Sequence, residues 1–208
     1  MAARNRRGVP EVVERIVLGS SLPSTDEQLA RLVTAGRGSL AFILGNDASR
    51  YRLLASSINW DRILLAFQGD TALGYAAFKS QCKGPFSPAL RAFTSHFGWL
   101  SGCVRYALFQ LFERRECRYR FFLYGLRVSK PARHHGVATA LLGEVCARAR
   151  QAGALEVELE VQQHNQRAQR LYLKNGFHVV GRPLLPALKG GLAMFSVLRM
   201  RRNLEQPS

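Results

Sequence analysis

Carboxylates are what this chain has least of among its charged groups: 14 Asp and Glu stand against 30 Lys and Arg, a formal charge of +16. None occurs from Thr71 to Phe112 or from Val161 to Leu204. A field of that sign selects polyanions: a coenzyme with several phosphates, nucleic acid, or an anionic membrane surface. Lysine is scarce too, supplying only five of the thirty cations, so part of the excess is what an arginine-rich composition brings by itself. No apolar run reaches the roughly 18–20 residues needed to span a bilayer, and the basic start MAARNRRGVPEVVERIVLG has no apolar signal core. We therefore read the N-terminus as uncleaved and the protein as cytoplasmic. Cys82, Cys103, Cys117 and Cys146 lack metal-like spacing, so reduced structural thiols are expected and no metal site. There are no repeats and no dividing linker, and 47% hydrophobic with 21% charged residues is a globular composition. One domain over 1–208 is the expectation.

Two familiar phosphate signatures are also missing: the Lys-Ser/Thr pair of a P-loop and the Gly-x-Gly-x-x-Gly of a dinucleotide fold. What is present is an extended run from Phe121 to Val128, a turn containing Pro131, and Arg133-His134-His135-Gly136-Val137-Ala138 opening a helix. Val137, Leu141, Val145 and Ala149 recur at helical spacing and predict one apolar face. The first N–H groups of such a helix have no intrahelical partner and carry partial positive charge. Gly136 and Ala138 admit a bulky anion to the backbone, and Arg133, His134 and His135 add side-chain donors.

Taken in order, 11–18 predicts a strand, and Ser24 with Glu27 a capping-box start for a helix to about Ala35. Residues 39–58 read as helical with a break at Gly45-Asn46-Asp47, and 61–68 and 72–80 as a hairpin turning at 69–71. Between 84 and 117 the residues Leu90, Phe93, Phe97, Leu100, Val104, Leu108 and Leu111 make one apolar stripe. We read this as an inserted helical pair, split by Gly98 and Gly102, packed on the sheet through that stripe. Trp99, Phe109 and Phe112 lie off the stripe; a lid over an apolar acceptor or a lipid-facing surface is the sharper alternative. Residues 118–128 form the central strand. The alternation in 155–161, LEVELEV, predicts a strand with Leu155, Val157, Leu159 and Val161 buried and its glutamates outward. Asn165 opens a helix ended by Asn175-Gly176, followed by strands at 177–180 and 192–200 flanking a Pro/Gly-rich loop.

Strand, Arg-x-x-Gly-x-Ala helix, strand, then Asn165-x-x-Ala168-x-x-Leu171-Tyr172-x-x-x-Gly176-Phe177 resembles the coenzyme A-binding core of the GNAT N-acyltransferase superfamily. The resemblance covers 118–200 closely and 9–80 by element order; the insertion at 84–117 matches nothing general to the superfamily. It implies an α/β fold with a mixed, largely antiparallel sheet flanked by helices, splayed at its central strands by the coenzyme. It also implies acetyl-coenzyme A as co-substrate and transfer of the acetyl group to a primary amine by direct attack in a ternary complex. The backbone of Leu126, Arg127 and Val128 would pair with the pantetheine arm. Arg133, His134, Gly136, Val137, Ala138 and Thr139 would surround the pyrophosphate. Asn165 and Ala168 would line the far side of the arm, and Tyr172 would protonate the departing thiolate.

The general base does not carry over. Relatives often place a glutamate where Tyr124 stands, and the strand YRFFLYGLRV holds no carboxylate. Tyr124 is left to orient the amine or a water, with Glu160, His164 and Glu116 as fallback bases. The acceptor stays open: an anionic acceptor or surface (aminoacyl-tRNA or lipid), a small amine and a protein amine are all compatible, as is a homodimer. The rival reading is a non-catalytic module that senses acyl-coenzyme A or docks on an anionic surface.

Overall fold

The hairpin predicted around Gly69-Asp70 is the centre from which the sheet grows. In the computed structural model, which describes residues 12–23, 26–36, 40–181 and 197–204, β2 (Ile63–Gln68) and β3 (Thr71–Ser80) pair antiparallel. Gly69 takes φ +54, a left-handed turn geometry that glycine adopts without steric cost. β1 (Arg15–Leu18) flanks β2, and β4 (Phe121–Val128) flanks β3, both antiparallel. Beyond β4 lie β5 (Glu156–Gln162), β7 (Val197–Asn203) and, at the edge, β6 (His178–Gly181), giving the order β1-β2-β3-β4-β5-β7-β6. Among the described residues only β4 and β5 run parallel, and their crossover is α6 (Val137–Gln151). The mixed, largely antiparallel sheet is thus the one expected.

Both sheet faces are covered, so the central strands are buried almost throughout. On one face α6 and α7 (Gln166–Lys174) pack over Ala76, Phe78, Phe121, Leu123 and Leu159. On the other lie α1 (Glu27–Thr34), α2 (Ala41–Leu44), α3 (Asp47–Leu54), α4 (Leu90–Phe97) and α5 (Trp99–Glu116), over Leu65, Tyr75, Ala77, Phe122 and Tyr124.

Several expectations are corrected. The first helix is capped by Asp26, which accepts from Leu29 N at 2.8 Å, so Glu27 is its first residue and not the third. Ser24 lies outside the described residues, as do the 182–191 loop and 192–196, and the last strand begins at Val197. β4 starts at Phe121, because residues 117–120 make a turn out of α5.

The insertion is a helical pair whose expected inner stripe packs on the core at Phe93, Phe97 and Leu108 but not along the rest of α5. Leu100 (80% exposed), Val104 and Leu111 face outward with Trp99, while Gly102 and Phe109 are buried. Only Gly98 (φ +80) splits the helices. Gly102 sits in the first turn of α5 where it meets α4, and a Cβ there would come 2.5 Å from Thr94 Cα. The row that meets the core is Gly102, Tyr106, Phe109, Glu113 and Glu116, stepping by four and three. Its two carboxylates disguised it as a polar face.

β5 is corrected likewise. Leu155 precedes the strand and is exposed, while Glu158 is buried against Arg199 and Arg201 from β7. The glutamates of LEVELEV are paired with arginines, Glu156 and Glu158 along the sheet with β7 and Glu160 across to α5.

Candidate active site at the β4–β5 seam

Pairing between the two parallel strands stops almost as soon as it starts: only Phe122↔Glu158 and Leu123↔Leu159 are in register. The cause lies on the other edge of β4. Ala77 pairs Gly125 and Phe78 pairs Leu123, so the register shifts there and Tyr124 is the extra residue of a bulge. Such a bulge bends its strand and increases its twist. From Tyr124 to Val128 the strand follows β3 and leaves β5. A strand alternates the direction of its backbone groups, so half of those in this stretch are turned toward the gap.

Two helix N-termini close in on the open end of that gap. α6 begins just past β4, with Gly136 as its N-cap at φ +73, ψ −1, and no side chain capping the first turn. α7 begins just past β5, with Asn165 as its N-cap, accepting from Ala168 N at 3.1 Å. The two starts touch: Arg167 Nη2 lies 3.2 Å from His134 Nε2, and because a guanidinium can only donate, that ring nitrogen accepts. At the far end of α7, Asn175 Nδ2 reaches Thr139 Oγ1 at 3.5 Å. The crevice beyond the carboxyl ends of adjacent parallel strands is where open α/β sheets bind ligands. Here it is lined by uncapped amides and by Arg133, His134 and Arg167. His134 holds φ +70, in the left-handed region that a non-glycine residue seldom takes.

The remaining expected residues fall as follows. Leu126 and Val128 pack partly buried against the α6-side core, and Arg127 reaches Ala35 O at the end of α1 at 2.7 Å. Arg133 Nε bonds Val128 O at 3.4 Å, tying the turn to the strand end. Val137 is buried, and Ala138 is half-buried behind Gly136. Tyr172 belongs to the core shared by α6, β4 and β5, edge-on to Phe177 at 5.7 Å, and burial pushes its hydroxyl up to about 12.

The three fallback bases are placed differently. His164 is exposed in the turn before α7. Glu160 binds Arg115, with Arg118 at 3.8 Å, and takes a hydrogen bond from Tyr119 at 3.1 Å, so it fastens α5 to β5. Glu116 is buried 3.8 Å from Lys79. The carboxylate that sequence reasoning passed over is Glu113. Its Oε1 accepts from Tyr124 Oη at 2.5 Å, and its Oε2 accepts from Lys79 Nζ at 2.7 Å. Lys79, 1% exposed, was the available signal: a lysine inside an apolar strand needs a carboxylate partner.

A family model of the GNAT acetyltransferases matches residues 44–177, more than half of the chain. The chain belongs to the GNAT acetyltransferase family. Over 46 residues it is 54% identical to uncharacterised N-acetyltransferases of Mycobacterium tuberculosis and Mycobacterium bovis, a stretch spanning 22% of this chain and 30% of theirs. Among solved structures, SsHAT superposes with a TM-score of 0.60 at 12% identity, over 92% of this chain and 98% of that one. A Bacillus subtilis acetyltransferase solved in complex with coenzyme A gives 0.53 at 15% identity, over 92% and 99%. At those identities the likeness is one of fold, and it extends the GNAT sheet over nearly the whole chain.

Proposed function

We propose that the chain transfers an acetyl group from acetyl-coenzyme A to a primary amine, by direct attack in a ternary complex at the β4–β5 seam. The observation that carries this reading is the loss of pairing after Leu123, with two helix N-termini at the open end. The strand edge at Leu126, Arg127 and Val128 takes the pantetheine arm as an added strand, and a backbone N–H there polarises the thioester carbonyl without reorganisation. The amides of Val137, Ala138 and Thr139, opened by Gly136 and flanked by Arg133 and His134, hold the pyrophosphate. Arg167 joins them through His134. Asn165 and Ala168, at the first turn of α7, wall the far side. The solved complex of the Bacillus subtilis neighbour with coenzyme A supports this choice of ligand.

Tyr172 acts on the leaving group. Its hydroxyl is protonated at neutral pH, as any tyrosine is, and burial pushing it up to about 12 makes it a weaker acid. It donates a hydrogen bond to the developing thiolate and gives up its proton only once negative charge has accumulated on the sulfur. Direct attack fits the cysteines as well. Burial pushes the Cys117 and Cys146 thiols up, which opposes the thiolate that a covalent intermediate needs.

The test is a calorimetric titration with acetyl-coenzyme A, repeated on Gly136→Glu, followed by thiol release across a panel of amines. Binding that Gly136→Glu abolishes, and amine-dependent thiol release by the wild type, are the expected results. Binding without release from any amine would favour a sensing module over an enzyme.

A further inference from the structure

We propose that Glu113, brought in by the inserted helix α5, is the carboxylate the central strand lacks, and that through the Tyr124 hydroxyl it receives the proton the amine loses. This rests on the acetyl-transfer reading above and supplies its missing proton acceptor. Three observations converge. Tyr124 is the bulged residue at which β4 parts from β5, so its side chain leaves the sheet where the seam opens. It points to the α5 side, away from the α6-side core that holds Tyr172, so proton acceptor and proton donor stand on opposite faces of the seam. Its hydroxyl is 2.5 Å from Glu113 Oε1, a charge-assisted hydrogen bond in a nearly dry site.

Facing Glu113 are Lys79 from β3, which also donates to the Glu113 carbonyl oxygen at 2.5 Å, and Glu116 one turn along α5, 3.8 Å from Lys79 Nζ. The thiol of Cys117, bonded to Glu113 O at 3.6 Å, lies alongside, with Cys82 next to it. Glu116 stays beside Lys79 when Glu113 takes up a proton, so the ammonium keeps a counter-charge through the step.

The balance closes. The neutral amine forms the N–C bond, the C–S bond breaks, and the nitrogen releases one proton. Tyr124 accepts that proton while passing its own to Glu113, and the thiolate receives a proton from Tyr172. Exchange with solvent returns Glu113 to carboxylate and Tyr172 to phenol, so the net transfer is one proton from nitrogen to sulfur.

Glu113 acts through Tyr124, so the decisive readout is kcat against KM for an amine that wild type acetylates, alongside the coenzyme Kd. For Glu113→Gln and for Tyr124→Phe we expect an unchanged coenzyme Kd and amine KM, with kcat lowered about 10²-fold or more. The double variant should be no slower than either single, because the two residues form one unit. A Glu113→Gln enzyme that keeps its rate overturns the proposal, and so does a double variant in which the two losses simply add. Glu113→Gln leaves a buried ammonium less well compensated and risks misfolding. Tyr124→Phe removes one hydroxyl only, and a wild-type rate from it overturns the proposal by itself. Coenzyme binding with no transfer to any amine by the wild type would overturn the transfer reading and this inference together, whereas an active wild type with unaffected variants overturns this inference alone.

Discussion

Tyr172 carries two separable consequences at the scale of the single residue. Tyr172→Phe removes the hydroxyl and keeps the ring that packs on Phe177. If the hydroxyl serves the leaving group, coenzyme affinity stays the same while kcat falls, by about 10²-fold for a lost general acid. Titration and single-turnover kinetics check this pair. The second consequence is in stability. A hydroxyl raised from 10 to about 12 in the folded state contributes stability that is fully present below pH 10 and is lost as pH rises through about 12. In that window the wild type should lose up to about 1.4 kcal/mol per pH unit more than Tyr172→Phe. Denaturant melts at pH 9, 10 and 11 would show it, and parallel melts for the two proteins would refute it. Gly136 is the corresponding residue on the binding side. Its φ of +73 and its place at the uncapped start of α6 predict that Gly136→Glu abolishes coenzyme binding, by backbone strain and by a carboxylate set where the pyrophosphate goes.

α5 shows, at the scale of the element, what was legible and what was not. Runs bounded by turn residues, such as the β2–β3 hairpin and the α6 row Val137, Leu141, Val145 and Ala149, folded as their periodicity predicts, because one or both faces meet a core of uniform chemistry. In α5 the inner row mixes glycine, tyrosine, phenylalanine and two glutamates, while the outer row is apolar, so hydrophobicity alone chose the wrong side. The same blindness hid Glu113 and turned the paired glutamates of β5 outward: a charge neutralised by a partner distant in sequence cannot be seen until the fold brings the two together. The two helix starts at Gly136 and Asn165 were legible because their signals are local in the sequence. Substitutions test the assignment of faces. Leu100→Lys should change stability by no more than about 0.5 kcal/mol, as an exposed site does. Phe109→Ala should cost about 3–5 kcal/mol. Gly102→Val should push α4 from α5 and cost about 1–3 kcal/mol or more. Chemical melts of the three variants rank them, and a costly Leu100→Lys would restore the outer stripe as the packing face.

Across the whole molecule, the sheet is two antiparallel blocks, β1 to β4 and β5 to β7, meeting at two paired positions. A coenzyme bound between them, as proposed, would bind the folded state alone. At about 100 times its Kd it should add about 2.7 kcal/mol and raise Tm by roughly 5–10 °C. Hydrogen exchange offers a sharper view: alternate amides from Gly125 to Val128 should exchange quickly without ligand and become protected with it, while those of β2 and β3 hardly change. Uniform protection along β4 without ligand would mean that the seam is closed. A further tie crosses the junction, since Glu160 of β5 is held by Arg115 of α5 and by Tyr119 just after it. The inserted segment is therefore a clasp, and on the proposed proton route a source of chemistry as well. Its final turns grip the second block through Arg115, two positions from the residue that faces Tyr124, so catalytic geometry and the spacing of the two blocks are inherited as one trait. An engineer who swaps this segment for that of a relative would change both at once. Swapped variants should therefore lose or recover turnover and coenzyme affinity together, not one at a time.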